Sequence, residues 1–195
     1  MVKENLSNFF ELSENFKLIK LDGEKIKVFQ LKVSDEKREY FEKTVKNFES
    51  IEQNLGYVES IKNIRENAII TYDAVACENS IVYGNSLVSY KAIIRGNAQV
   101  FGSSLVDGKN TIIKDNARIY GGAMIRLGSI AKDNVWVHGF YKALNNDILE
   151  KNNDYYIDPY TDEYVENFYK NHGCFPSNVE PQYHNLIIFE EVKKT

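Results

Sequence analysis

Residues able to do chemistry are few in this 195-residue chain, and they are scattered. Its three histidines are His138, His172 and His184. An imidazole near neutral pH can take a proton from a hydroxyl or an amine, which makes His138 the candidate general base. Two cysteines, Cys77 and Cys174, are too few for a disulfide framework or a four-cysteine zinc site, and both read as structural thiols. Glycine motifs that cradle phosphates or dinucleotides are absent. Three further sets could bind rather than react. Arg95, Lys114 and Lys132, if brought into line, would offer cations to a phosphate chain or an acidic partner, or would simply splay into water. Tyr83, Phe101, Tyr120 and His138 could stack, either as a sheet-stabilising ladder or as a flat recognition surface. From Glu150 to Tyr169 the acids Glu150, Asp154, Asp158, Asp162, Glu163 and Glu166 interleave with Tyr155, Tyr156, Tyr160, Tyr164 and Tyr169. Such a stretch can occupy a basic groove on a partner, up to mimicry of a nucleic acid, or can pack its rings inward with carboxylates in water.

The elements that position these residues come from a six-residue repeat between Asn67 and His138. A small residue recurs at Ala68, Ala74, Ser80, Ser86, Ala92, Ala98 and Ser104. After one inserted residue in Asp107-Gly108-Lys109 it resumes at Thr111, Ala117, Ala123 and Ser129. Two places later comes an aliphatic residue or alanine, as in Ile70, Val88, Ile94, Val100, Ile113 and Val137. Before most small residues sits Asn, Asp or Gly, types that tolerate a left-handed backbone at a tight corner. Side chains alternate along a strand, so the small residue and the aliphatic share an inward face. Slipping by one place would bury Arg95, Gln99, Arg118 and Arg126, which fixes the register. Stacked short strands are the reading.

These residues resemble those of hexapeptide-repeat proteins that fold as left-handed parallel β-helices. The flavour of Gly96-Asn97-Ala98-Gln99-Val100 and Tyr83-Gly84-Asn85-Ser86 is similar to motif-poor repeats in phage and mobile-element proteins. The resemblance implies three hexads per triangular coil, hence about four coils for this stretch, and a mainly β fold. It also implies two functions. One is a non-enzymatic scaffold that engages a protein partner, such as a phage-type inhibitor of a host protein, and needs no cofactor. The other is an acetyl-CoA-dependent acyltransferase acting as a homotrimer with His138 as base. The uninterrupted coils favour the first. Zinc-dependent hydration, known in another branch, would need His138, His172 and His184 to converge.

Under three hexads per coil the outward residues fall on three faces. A first face carries Ile69, Leu87, Leu105 and Met124; a second carries Val75, Ile93, Ile112 and Ile130. The third mixes Ile81, Gln99, Arg118 and Trp136. Apolar outward columns call for a cover: the protein's own flanks, a second copy, or a foreign partner. Residues 1–66 read as an α+β cap, with a hairpin around Asp22-Gly23, a helix from Ser34 toward Gly56, and Ile61 and Ile64 opening an irregular first coil. Residues 67–138 form the β-helix. Residues 139–195 form a tail with a short helix after Thr161 and a strand at 186–189. A net charge of −4 argues against a general nucleic-acid coat. With no apolar run of membrane-spanning length and no signal-like start, the expectation is a soluble cytoplasmic protein.

Overall fold

The inward register read from the hexads is the one the chain adopts. In the computed structural model, which describes residues 9–44 and 48–157, they wind into a parallel β-solenoid of about six turns. Three sheets run along its length, and equivalent positions recur every 18 residues, or 19 across the Lys109 insertion. Ile70, Val88, Val106, Ile125 and Ala143 fill the inside of the first face. Val58, Ala76, Ile94, Ile113, Ala131 and Leu149 fill the second. Val82, Val100, Ile119 and Val137 fill the third, with Ile64 bridged above them and Tyr155 below. Burying each such aliphatic side chain is worth about 1.5–3 kcal/mol, and stacking them in one column concentrates that gain along the axis.

Small residues at the inner corners leave room for the chain to turn. Where they are serine or threonine, burial needs a partner, and each hydroxyl finds one three or four residues back on the same coil. Ser86 donates to the Tyr83 carbonyl, Ser104 to that of Phe101 and Ser129 to that of Arg126, each at 2.8 Å.

The count of about four coils is corrected to about six because rungs continue outside the small-residue repeat. Tyr57–Val58 pairs with Val75–Ala76 at the N-terminal end. Lys142–Ala143, Ile148–Leu149 and Asp154–Ile157 add a further rung to each sheet at the other. There the small position is taken by Tyr141, Asp147 and Asn153. An end coil has no neighbour beyond it, so a large side chain is tolerated, and Tyr141 packs against the core.

N-terminal to the solenoid, strands β1 (Phe10–Leu21) and β2 (Glu24–Val33) form the hairpin around Asp22-Gly23. The expected single helix is two, α1 (Asp35–Thr44) and α2 (Phe48–Gln53). Phe41 and Phe48 join Phe10, Leu31, Val33 and Leu55 in one cluster with the inner columns, so the helices plug the end of the prism rather than sheathing its sides. The hairpin extends the second face as an antiparallel neighbour of Tyr57–Val58 and folds over its top. Val28 packs there with Val75 and Cys77, flanked by Ile19, Leu21 and Ile26. Further down, Ile93, Ile112 and Ile130 are half-buried and Ile148 is exposed. On the first face Leu87 is exposed. Among the described residues no helix is long and apolar enough to cross a membrane. The expected tail helix and strand, with Asp158, Tyr160 and Asp162, lie outside the described residues.

Candidate functional site

The third face gathers the most side chains of recognition type. Tyr83, Phe101, Tyr120 and His138 occupy the same outward position on successive coils, and their rings stack 4.6–5.0 Å apart within 7° of parallel. Coil spacing near 4.8 Å sets that distance, so the ladder follows from the repeat. Tyr156, expected in the tail surface, extends it by one ring, 4.6 Å from His138. Tyr155 points the other way and packs on the core beside Tyr141, so it is no solvent-facing anchor. Burial, with the nearby Glu66 carboxylate, pushes the Tyr83 phenol above its ordinary value.

Beside the ladder runs the mixed column. Trp136 is 45% exposed. The Arg118 guanidinium lies 5.3 Å over its ring, a cation–π arrangement that holds both side chains in place. Neither residue stood among the expected partner-binding set, although a lone tryptophan at an outward position was the available signal.

His138 is a ladder ring with Tyr120 on one side and Tyr156 on the other. Its Nε2 lies 2.8 Å from Asp154 Oδ1, and Nδ1 is buried. An imidazole so placed presents no ring nitrogen to an incoming hydroxyl or amine. Among the described residues no group of three His, Cys, Asp or Glu side chains is arranged to hold a metal. His172, His184 and Cys174 lie outside those residues. Cys77 is buried beneath the hairpin, and desolvation, with Glu78 and Glu59 adding to it, pushes its thiol up to about 12. A thiol held neutral that strongly is a packing group.

Arg95, Lys114 and Lys132 do align on the second face, on a different side of the prism from the aromatic ladder. Two of the three carry built-in counterions. Arg95 reaches Asp22 of the hairpin turn at 2.7 Å and Glu78 at 2.8 Å. Burial works against its charge, but those two carboxylates outweigh it and hold the guanidinium above its ordinary value. Lys132 meets Glu150 at 2.7 Å, a hydrogen bond that raises the amine and lowers the carboxyl. Spacing alone could not reveal Asp22 and Glu78, which come from the hairpin and a corner, whereas Glu150 follows Lys132 by 18 residues and stands in the same column.

The corner between second and third faces explains the asparagines. The left-handed residue at most of these turns is the one before the asparagine, Glu78, Gly96, Asp115 or Asp133, and at the last turn both Lys151 and Asn152 are left-handed. The asparagine side chains instead form an amide ladder. Asn79 donates to Asn97, Asn97 to Asn116, Asn116 to Asn134 and Asn134 to Asn152, at 2.6–3.3 Å. At the same corner Asp115 accepts from the Asp133 backbone and Asp133 from that of Lys151. Comparison of the chain with protein families, curated proteins and solved structures finds no match.

Proposed function

We propose that the chain is a hexapeptide-repeat solenoid that acts by binding another protein, with the third face as its contact surface. The observation carrying this reading is Trp136, nearly half exposed under Arg118 and alongside a rigid file of Tyr83, Phe101 and Tyr120. Tryptophan, tyrosine and arginine dominate binding hot spots because they offer large, stiff contact areas at low entropic cost. Rings already locked by stacking lose little further freedom on association. The likeness to mobile-element repeat proteins suggests a host protein as partner, occupied and thereby inhibited.

The geometry of His138 weighs for binding and against acyl transfer. A base needs a nitrogen facing the acceptor, whereas here one is engaged by Asp154 and the other is buried. The test is capture of the partner from native lysate by wild type and by Trp136→Ser, Arg118→Glu and His138→Phe variants. Stoichiometric capture lost in the first two and kept in the third supports the reading. Undiminished capture by Trp136→Ser and Arg118→Glu, or acetyl-CoA turnover abolished by His138→Phe, overturns it.

A further inference from the structure

We propose that the corner between the first and second faces is a site for a nucleoside phosphate, whose base occupies a vacant rung in a second, shorter tyrosine stack. Tyr72 and Tyr90 sit one coil apart at this corner, their rings 4.7 Å apart and 3° from parallel. Both adopt left-handed backbone, φ 49° and 51°, a region that costs a bulky residue energy and that asparagine or glycine would occupy freely. The same backbone recurs at Leu127 and at other corners, so the fold imposes it; what singles this corner out is that it holds two stacked rings there, Tyr90 exposed and Tyr72 half-buried. The next position in the column is Gly108, and the one after it is Leu127, itself exposed. Gly108 is compelled, since a Cβ there would stand 3.0 Å from the Leu127 backbone nitrogen. The stack therefore ends on the bare face of Tyr90, which is 56% exposed. One coil is about 4.8 Å, so a planar ring above Gly108 would lie in the register the tyrosines already keep, with Leu127 closing the far side.

The charges around this slot select the rest of the ligand. Lys91 and Lys109 line a groove of about 670 Å³ that runs beside Tyr72 and Tyr90 toward Gln30 and Asn54. The neighbouring acids are already matched, Asp73 by Lys17 at 3.1 Å and Asp107 by Arg126 at 2.8 Å. Among the described residues neither Lys91 nor Lys109 is in an ion pair, which leaves two positive charges for an anion. A flat ring carrying one or two phosphates matches that pattern: the base stacks on Tyr90 and the phosphate meets the ammonium groups. Two lysines are too short a track for a polynucleotide in a chain of net charge −4. This site is separate from the third face and does not depend on the function proposed there.

The test is isothermal titration of the full chain with ADP, adenosine, pyrophosphate and a short oligonucleotide. Tyr90→Asn removes the platform while suiting the left-handed backbone, so it should keep wild-type circular dichroism. It should weaken ADP and adenosine about tenfold or more, in the range of one base–aromatic stack, and leave pyrophosphate unchanged. Lys91→Glu and Lys109→Glu should weaken ADP and pyrophosphate but not adenosine. No ADP binding at millimolar concentration, undiminished binding by folded Tyr90→Asn, or an oligonucleotide binding more than tenfold tighter than ADP would each overturn the proposal.

Discussion

Replacing Gly102 by alanine tests whether close approach between coils, rather than corner flexibility, constrains the glycine column of Gly84, Gly102 and Gly121. Gly102 has φ +71°, and an added Cβ would lie 2.9 Å from the Gly121 backbone nitrogen. Two costs combine. A left-handed alanine is disfavoured by about 1–2 kcal/mol. The clash adds roughly 1–3 kcal/mol of overpacking, because backbone hydrogen-bonded on both sides cannot swing away as a side chain would. Gly102→Ala should therefore lose about 2–5 kcal/mol. Gly23 in the hairpin turn supplies the control: its φ is +93°, yet nothing lies within 4 Å of the Cβ position. Gly23→Ala should show only the first cost, about 1–2 kcal/mol. Urea unfolding followed by circular dichroism measures both, provided the denaturant slope is unchanged. Equal losses in the two variants would refute the steric argument.

Ile113→Ala, at a fully buried inner position, should cost about 2–5 kcal/mol in the same assay, as expected for a cavity with neighbours above and below. In a Cys174→Ser background Cys77 should resist thiol reagents until the protein unfolds. Because its folded value is raised, the unfolded chain loses this proton first, so stability should fall as pH climbs from about 9 toward 12, a decline that Cys77→Ala removes. Arg95→Ala should lower amide-exchange protection across β1 and β2, and high salt should mimic part of that loss by screening the exposed Asp22 contact.

What the sequence made legible was whatever depends on neighbours within a few residues. The alternation that puts Ala98 and Val100 inside and Gln99 outside is local, and so is the hairpin cue at Asp22-Gly23. The 18-residue recurrence, with the one inserted residue, then places Tyr83, Phe101 and Tyr120 in one file. Three kinds of feature stayed hidden. The C-terminal coil lacked small residues because nothing stacks beyond it, so Ala143 and Leu149 looked like tail. The partners of Arg95 depend on where the hairpin and a corner come to rest, which no periodicity encodes, whereas Glu150, 18 residues after Lys132, stayed hidden only because its coil looked like tail. The pairing of Tyr72 with Tyr90 lies outside the hexad rule, which calls for Asn, Asp or Gly at a corner and is silent on two tyrosines 18 residues apart.

The amide ladder from Asn79 to Asn152 gives the prism a direction. Every side-chain amide in it donates toward the C-terminal end and accepts from the N-terminal end, so the edge behaves as a row of aligned dipoles. Reversing one amide would set donor against donor on one side and acceptor against acceptor on the other; a flip must therefore pass through the whole row or not occur. The two ends are consequently unlike, with an oxygen at Asn79 and an N–H at Asn152. A copy docked head to tail could continue the row, whereas one docked head to head would oppose like groups. The molecule carries a built-in arrow, written in five asparagines.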